Sequence, residues 1–203
     1  MLIYLIRHGE TQWNKKRKLQ GQSDIPLDDS GIRLTKITAE ALKDIPFDRV
    51  YSSPLIRARQ TAEILCEGKN LPITEDKRLM EFHFGIAEGW HLKFINRLHC
   101  SSIYSCFNDP EHYTRAVLGG ETIENVEKRG REFMEEVIKP LENDHRCVLV
   151  TAHGGIIRAI LGPLMGIPKK NFWTALSEKN CAVNLMECKN GHFTVLETGK
   201  LFY

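Results

Sequence analysis

Two continuously apolar segments, one near each end of the chain, both end in a histidine followed by glycine. The first, Leu2–Ile6, precedes Arg7 and His8. The second, Cys147–Ala152, precedes His153. An apolar run without alternation is typical of a strand that is covered by helices on both faces. Because the carboxyl ends of parallel strands meet at one edge of a sheet, we expect both histidines in one site.

These strands predict a three-layer α/β/α sandwich, in which a mostly parallel mixed sheet lies between two layers of helices. The chain has 203 residues, which suits one domain over residues 1–203. A chain of this size can bury roughly 70% of its unfolded surface in a single core. The sequence contains no internal repeat and no linker-like segment, so we expect no domain boundary.

Charge and hydropathy limit the partners that this chain can have. The formal net charge of +2 gives no bulk attraction to nucleic acid or to a membrane surface, so we expect neither as a partner. A segment that crosses a bilayer needs about 20 apolar residues, and no run here is that long. The first apolar run ends at Ile6, which is too short for the core of a signal peptide. We therefore expect a cytoplasmic protein.

The six cysteines include no C-x-x-C pair, so in a cytoplasmic protein we expect them to be free and mostly buried. They are Cys66, Cys100, Cys106, Cys147, Cys181 and Cys188. The histidines and cysteines of residues 90–118 do not have the spacing of zinc ligands, and no carboxylate cluster suits magnesium. The sequence therefore predicts no metal and no other cofactor.

Helical and extended patterns alternate between the two apolar strands. We expect a helix to begin near Ser30 and to end before Pro46, because apolar residues recur there at helical spacing. Its predicted buried face consists of Leu34, Ile37, Thr38, Ala41, Leu42 and Ile45. Arg49–Ser52 and Leu71–Glu75 are predicted to be the second and third strands.

Ser53 and Pro54 predict the start of a further helix. Serine is a good N-cap residue, and proline fits the first helical position because its missing N–H would have no partner there. Arg57 then falls in the first turn, where free backbone N–H groups and the positive end of the helix dipole favour anions. Arg57 is therefore either part of an anion site or a surface arginine.

Residues 90–118 have no clear pattern, and we expect a helical hairpin or a lid over the site, inserted at about residues 88–120. Thr122 can cap a long amphipathic helix that runs to about Leu141. Gly130 within that helix is expected to mark close packing against the sheet.

The chain after the second histidine predicts one helix and one hairpin. Gly154 and Gly155 open a helix that reaches about Leu164, so His153 also lies at a helix N-terminus. Two extended segments, Cys181–Cys188 and Phe193–Glu197, are joined through Asn190-Gly191. Asn-Gly is typical of the tight turns that connect antiparallel strands.

Glu81 stands in an apolar block, between Met80 and Phe82 and shortly before Phe84 and Ile86. A carboxylic acid among apolar groups tends to keep its proton, which suits a general acid. The alternative is a glutamate that points into water from an irregular loop.

A basic run, Lys15-Lys16-Arg17-Lys18, lies in a predicted loop after the first strand. A solvated surface patch would explain it. The functional alternative is a cluster that steers an anionic substrate toward a nearby site.

Arg7, His8, Arg57, Glu81 and His153 together have the chemistry of a phosphate site. Guanidinium groups, imidazoles and helix N-terminal N–H groups can bind a dianionic phosphate without a metal. A neutral imidazole can attack phosphorus and form a phosphohistidine, from which water takes the phosphoryl group. A neighbouring carboxylic acid would protonate the leaving oxygen and later accept a proton from the water. We therefore expect activity to depend on pH with a bell-shaped profile.

Four blocks of the sequence, in this order, resemble the histidine phosphatase superfamily, which is also called the phosphoglycerate mutase-like family. The blocks are RHGET followed by Trp13-Asn14, then SSPLIRARQTA, LMEFHFGIAEG and TAHGG. They extend over nearly the whole chain. The resemblance implies a mixed sheet between helical layers and a small phosphomonoester as substrate.

The resemblance also implies roles for individual residues. His8 matches the phosphorylated nucleophile and Glu81 matches the proton donor, and His153 becomes a charge partner rather than a second nucleophile. The implied phosphate pocket consists of Arg7, Asn14, Gln20, Gly21, Arg57, His153 and Gly154.

Within that family, the sequence favours a phosphatase. The insertion after the acid block is shorter than in cofactor-dependent mutases and lacks their Arg-Arg pair, and residues 86–89 resemble the phosphatases. The alternatives are a cofactor-dependent phosphoglycerate mutase and a non-catalytic module that binds phospho-ligands. Substrates such as α-ribazole phosphate and sugar phosphates remain open, and so does a homodimer.

Overall fold

Six strands form one mixed sheet in the computed structural model, which describes residues 1–99, 101–177 and 179–203. The strands are β1 (Leu2–Arg7), β2 (Arg49–Ser52), β3 (Ile73–Glu75), β4 (Cys147–Ala152), β5 (Val183–Lys189) and β6 (His192–Lys200). Their order across the sheet is β3-β2-β4-β1-β5-β6. The first four in that order are parallel, whereas β5 is antiparallel to both of its neighbours, β1 and β6. This arrangement confirms the predicted mostly parallel mixed sheet.

Two of the predicted strands have different ends. β3 begins at Ile73 rather than at Leu71, because Pro72 has no N–H for a ladder hydrogen bond. The terminal hairpin forms as predicted through Asn190 and Gly191, whose φ angles of 54° and 74° are those of a tight hairpin turn. The first hairpin strand is shifted and slightly shorter than the predicted Cys181–Cys188, whereas the second is longer than the predicted Phe193–Glu197.

Helices surround the sheet and connect its strands. The α-helices of the described residues are α1 (Gln12–Lys15), α2 (Asp29–Ala41), α3 (Ile56–Leu65), α4 (Leu92–Ile95), α5 (Ser102–Asn108), α6 (Ile123–Phe133) and α7 (Gly154–Leu164). Short 3₁₀ turns cover Lys77–Leu79, Gly85–Ala87, Pro110–His112, Lys139–Leu141 and Lys169–Asn171. No helix of the described chain has both the length and the hydropathy needed to span a membrane.

The alternation of side chains along β1 shows the three layers. Ile3 and Leu5 lie in a hydrophobic cluster that includes Val126 of α6 and Ile156 of α7. Ile6 lies in a second cluster on the opposite face, which includes residues of α3 and the segment after α2. Because successive side chains of a strand point to opposite faces, the sheet is covered on both sides. The predicted α/β/α sandwich is confirmed.

Helix α2 buries only part of the face that was predicted. Its N-cap is Asp28, whose Oδ1 accepts from the Gly31 N–H at 2.9 Å. Thr38 and Leu42 are buried as predicted, whereas Ile37 is 44% exposed. Gly31 and Thr35 are buried although neither was predicted, and the Thr35 hydroxyl donates to the Gly31 carbonyl at 2.7 Å, so its donor is satisfied. The prediction failed in part because it counted mainly apolar residues, whereas this helix also packs through glycine and threonine.

Helix α3 begins two residues later than Ser53-Pro54 predicted. Its N-cap is Leu55, and the N–H of Ile56 donates to Oδ1 of Asp24 at 2.7 Å. The capping carboxylate therefore comes from a distant loop, which the local sequence could not indicate. Arg57 still lies in the first turn, as predicted.

The long helix after Thr122 runs as far as predicted, but it changes type. Thr122 caps α6 through the Asn125 N–H, and a π-helical stretch, Met134–Ile138, continues the helix to the final 3₁₀ turn. A Cβ at Gly130 would lie 3.0 Å from Cγ1 of Ile160. Gly130 therefore marks close packing of α6 against α7 and not against the sheet.

The described residues of the predicted lid form short helical turns, α4, α5 and the 3₁₀ turn Pro110–His112. Its role as a lid stays a prediction. Among the cysteines, Cys66, Cys106, Cys147, Cys181 and Cys188 are free and buried. Cys100 lies outside the described residues.

Candidate active site

Three parallel strands deliver their last residues to one edge of the sheet. Arg7 pairs with Ala152 in register, and the backbone N–H of His8 donates to the Ala152 carbonyl at 3.0 Å. The backbone N–H of Ser53 extends β2 in the same way, donating to the Thr151 carbonyl at 3.0 Å. The rings of His8 and His153 lie 5.1 Å apart between centroids. The predicted convergence of the two histidines is therefore what the structure shows.

His8 is held as a neutral imidazole with one defined tautomer. Its Nδ1 lies 2.6 Å from the Gly9 carbonyl oxygen, which can only accept, so Nδ1 carries the proton. Nε2 then has a free lone pair. Burial, with the nearby charges of Arg57 and Arg7, holds the pKa of His8 well below the usual 6.5. At pH 7 the ring is therefore in the form that a nucleophile requires.

The backbone that carries His8 is fixed from three directions. The Gly9 N–H donates to the Thr61 hydroxyl of α3 at 3.0 Å. The Asn180 side chain donates to the carbonyls of His8 and Gly9, both at 3.1 Å. A Cβ at Gly9 would lie 2.6 Å from the Thr35 hydroxyl of α2, so only glycine fits. Thr61 and Asn180 carried no signal in the sequence, because each is far from His8 along the chain.

Arg57 is fully buried, and three of its N–H groups donate hydrogen bonds to other residues of the site. Its Nη1 donates to the Ser23 carbonyl at 2.8 Å and its Nη2 to the Gly21 carbonyl at 2.6 Å. Its Nε lies 3.2 Å from Nδ1 of His153. Burial lowers the pKa of Arg57 to about 10, which leaves the guanidinium charged at pH 7. Arg57 is not a surface arginine, which decides between the two interpretations of its position.

His153 is held as a neutral imidazole, and its role as a charge partner stays a prediction. Its Nδ1 accepts from Arg57, so the ring proton is on Nε2, which lies 2.8 Å from the Ser53 hydroxyl. Burial, followed by the charges of Arg57 and His8, holds the pKa of His153 well below 6.5. A bound dianion would act in the opposite direction. Ser53, predicted as a helix cap, instead orients this imidazole.

Glu81 points to the N-terminus of α7 rather than into water. Its Oε1 accepts from the backbone N–H groups of Phe82 and Gly155, both at 2.8 Å. A Cβ at Gly155 would lie only 2.5 Å from that oxygen, so the second glycine of the TAHGG block is needed for this contact. The carboxyl group lines the same cavity as His8.

The cavity at this edge has a volume of about 200 Å³. The predicted residues that line it are Arg7, His8, Asn14, Gln20, Gly21, Arg57, Glu81 and Gly154. The residues that sequence reasoning did not place there are Lys18, Leu19, Phe84, Leu92, Phe107, Gly155, Arg158 and Trp173. His153 is fully buried and contacts the cavity residue Arg57.

Asn14 and Gln20 are tied to the cavity through Thr11. Oδ1 of Asn14 accepts from the Thr11 N–H at 3.1 Å, and Oε1 of Gln20 accepts from the Thr11 hydroxyl at 3.0 Å. Both side chains are thereby oriented before any ligand is considered. Of the basic run, Lys18 lines the cavity, whereas Lys15 pairs with Asp28 at 2.9 Å.

Glu88 holds the loop that supplies Arg57 with its carbonyl partners. Its Oε1 accepts from the Gln22 N–H at 2.9 Å, and its Oε2 accepts from the Ser23 N–H at 2.8 Å. Gly21 has a φ of +51°, and a Cβ there would lie 2.1 Å from Oε1 of Glu88. The glycine and the glutamate are therefore required together, although they are far apart along the sequence.

An aromatic wall, formed by Phe84, Phe107 and Trp173, closes one side of the cavity. The rings of Phe84 and Phe107 stack with centroids 5.5 Å apart, and those of Phe107 and Trp173 lie 4.9 Å apart. The Trp173 indole N–H donates to the Cys106 carbonyl at 2.6 Å, which fixes the wall. This wall offers apolar contact rather than hydrogen bonds.

The arrangement suits transfer of a phosphoryl group through histidine. A neutral imidazole with a free Nε2 stands beside two guanidinium groups, and a carboxyl group lies at a helix N-terminus on the same cavity. The charges of a phosphate would be balanced by Arg7, Arg57 and backbone N–H groups. The part of the chain that is described contains no cluster of three His, Cys, Asp or Glu residues able to hold a metal ion.

Comparison with known proteins agrees with this chemistry. The family model described as "Histidine phosphatase superfamily (branch 1)" matches residues 3–200. The chain is 36% identical over 164 residues to a Bacillus subtilis protein named "Uncharacterized phosphatase PhoE", covering 81% of this chain and 77% of that protein. It is 30% identical over 196 residues to the "Probable phosphoglycerate mutase GpmB" of Shigella boydii, covering 91% of this chain and 84% of that protein. The solved structure of Bacillus stearothermophilus YhfR superposes with a TM-score of 0.88 at 29% identity, covering 96% of this chain and 94% of the other.

Proposed function

The chain belongs to the histidine phosphatase superfamily, branch 1, and from this premise we propose that it is a metal-independent phosphatase that hydrolyses a small phosphomonoester. The observation that carries the proposal is the hydrogen bond from Nδ1 of His8 to the Gly9 carbonyl. That bond leaves Nε2 as the nucleophilic atom of a buried, neutral ring.

In the first step, Nε2 of His8 attacks the phosphorus atom and the bond from phosphorus to the ester oxygen breaks. The leaving oxygen takes a proton from the carboxylic acid of Glu81, so the product is a neutral alcohol. Arg7 and Arg57 stabilise the charge that spreads over the three equatorial oxygens. The intermediate is a phosphohistidine.

In the second step, a water molecule attacks the phosphorus of the phosphohistidine. The Glu81 carboxylate accepts a proton from that water, and the electron pair of the P–N bond returns to Nε2. Inorganic phosphate leaves, and both His8 and protonated Glu81 are restored. Water is the only co-reactant that these two steps require.

The aromatic wall bears on the organic part of the substrate. Phe84, Phe107 and Trp173 present ring faces and edges to the cavity and offer few hydrogen bonds to sugar hydroxyls. We propose that the preferred ester carries an apolar or planar group, ahead of sugar phosphates.

A phosphoglycerate mutase is the second candidate, and one observation favours it. Lys18 and Arg158 also line the cavity and could bind a second anionic group on the substrate. Against it, Arg158 already donates to the carbonyls of Gly154 and Leu176, both at 2.9 Å. The similarity to a protein named as a probable phosphoglycerate mutase also supports this candidate.

One assay separates the two activities. With 3-phosphoglycerate and EDTA, we expect inorganic phosphate to be released more slowly than from an aromatic ester, at a rate that does not depend on added 2,3-bisphosphoglycerate. A mutase would instead form 2-phosphoglycerate, and only after priming by the bisphosphate. Isomerisation faster than phosphate release would contradict the proposal.

The substrate preference can be tested at Phe107. Benzyl phosphate and glycerol 3-phosphate both release a primary alcohol, so their comparison reports mainly on binding of the organic group. Phe107→Ala should lower kcat/KM for benzyl phosphate by roughly 10-fold, with a smaller effect on glycerol 3-phosphate. Phe94→Ala, at an exposed phenylalanine of α4, is the matched control. Equal losses on the two substrates would contradict an apolar subsite.

A further inference from the structure

Arg129, on α6, directs all five of its N–H groups to fixed acceptors around Glu81. Its Nη1 donates to the carbonyls of Arg78 at 2.7 Å and of Met80 at 2.5 Å. Its Nη2 donates to the Glu81 carbonyl at 3.0 Å and to Oε1 of Glu121 at 2.6 Å. Its Nε donates to Oε2 of Glu121 at 3.1 Å. A guanidinium has five donors, so this one is fully used.

Glu121 orients the guanidinium and also contacts the other side of Glu81. The side chains of Arg129 and Glu121 are only 16% and 14% exposed. Oε1 of Glu121 accepts from the backbone N–H of His83 at 2.8 Å in addition to Arg129. The pair therefore contacts the backbone both before and after Glu81.

The backbone around Glu81 needs such a partner because it has no regular structure. Residues 80–84 belong to neither a helix nor a strand, so no ladder satisfies their carbonyl groups. The Arg129 fork takes the place of a ladder for the carbonyls of Arg78, Met80 and Glu81. The Gln22 side chain adds one further donor to the Glu81 carbonyl, at 3.1 Å.

We infer that Arg129 is a positioning residue that holds the backbone of Glu81 so that its carboxyl group stands at the N-terminus of α7. The inference rests on the proposed role of Glu81 as general acid. Lysine cannot replace arginine here, because one ammonium group cannot reach acceptors that lie along both edges of a planar fork. Arg129 itself does not line the cavity.

If Arg129 acts in this way, replacing it should lower activity by a factor that depends on the leaving group of the substrate. An alkyl phosphate needs a proton from Glu81 as its ester bond breaks, whereas p-nitrophenolate leaves without one. Arg129→Lys should therefore lower kcat/KM, which reports the steps up to formation of the phosphohistidine, by roughly 10- to 100-fold with benzyl phosphate. With p-nitrophenyl phosphate the loss in kcat/KM should stay below about threefold, since departure of p-nitrophenolate bypasses the acid.

The kcat/KM values for benzyl phosphate and p-nitrophenyl phosphate are measured on one preparation of each variant. Their ratio therefore does not change if part of that preparation is unfolded. Glu81→Gln sets the full effect of losing the acid, and Arg131→Lys, an exposed arginine of the same helix, is the matched control. In the Glu81→Gln background, Arg129→Lys should add less than about twofold to the loss with benzyl phosphate. Equal losses on both substrates, or full additivity in the double variant, would overturn the inference.

The same experiment separates this inference from the proposed function. If Glu81→Gln slows both substrates equally, the acid role of Glu81 fails and the positioning role fails with it. If Glu81→Gln discriminates between the substrates and Arg129→Lys does not, only the positioning role is overturned.

Discussion

At the scale of single residues, the proposed chemistry depends on which ring nitrogen of His8 carries the proton. His8 keeps its proton on Nδ1 because the Gly9 carbonyl accepts it, and the Asn180 amide donates to the same carbonyl. The ring remains neutral because it is buried next to the guanidinium groups of Arg57 and Arg7. The cations that we propose bind the phosphate thus also keep the proposed nucleophile unprotonated. This coupling predicts how activity should respond to pH.

The proposed mechanism requires neutral His8, so we expect activity to be lost as pH falls through the pKa of that ring. Arg57 contributes to lowering this pKa, and Arg57→Gln removes its charge. The pKa of His8 should then rise, and the acidic limb of kcat/KM against pH should move to higher pH. The loss of the clamp should also lower kcat/KM roughly 100-fold.

The matched control is Arg59→Gln on the same helix, because Arg59 is exposed and pairs with Glu63 at the surface. Its pH profile should superpose on that of the unchanged protein. An acidic limb that stays in place, or moves to lower pH, in Arg57→Gln would contradict the coupling. A flat profile between about pH 4 and 9 would contradict the acid–base roles of His8 and Glu81 altogether.

At the scale of elements, the N-terminus of α7 anchors the acid. Gly155 presents its N–H to Glu81, and the absence of a Cβ is what lets the carboxyl group approach. The sequence indicated the helix and its two glycines but not this contact, because Glu81 is 74 positions away. Local patterns encode where a helix begins, whereas the groups that meet its end are set by the topology.

Gly155→Ala should disturb this contact selectively. The new Cβ would lie 2.5 Å from Oε1 of Glu81 and 2.9 Å from Cβ of Phe82, so the acid must move. We expect kcat with an alkyl phosphate to fall roughly 100-fold, the effect of a displacement of about 1 Å.

Gly162→Ala, in the same helix, is the control for that variant. Apart from its chain neighbours and the backbone of its own helix, no atom lies within 4 Å of the position that a Cβ would take there, so alanine should fit without displacement. Its activity should be unchanged, and thermal unfolding should show stability equal to or slightly above that of the unchanged protein. Similar activity of the two variants would show that the Glu81 contact with α7 is unimportant.

At the scale of the whole molecule, the sheet order explains how much the sequence could predict. β1 and β4 are neighbours, so residues that follow each apolar run converge, and Arg7, His8 and His153 could be placed from sequence. The partly wrong face of α2 and the late start of α3 have a different origin. Helix α2 packs in part through Gly31 and Thr35, and α3 takes its cap from Asp24, and apolar periodicity indicates neither feature. Arg129, Asn180 and Glu88 act through backbone groups far along the chain, for which no local signal exists.

The central claim is that His8 carries the phosphoryl group, and trapping the intermediate tests it most directly. Glu81→Gln, rapidly mixed with phosphorus-labelled p-nitrophenyl phosphate and quenched in alkali, should hold label, because the leaving group needs no acid but the attacking water needs a base. The label should be stable in alkali, labile in acid, and located on His8 by peptide mass spectrometry. It should be absent when His8→Ala is added, and present when the exposed His192 is replaced by alanine instead. Label on another residue, or an acid-stable phosphoester, would contradict the account.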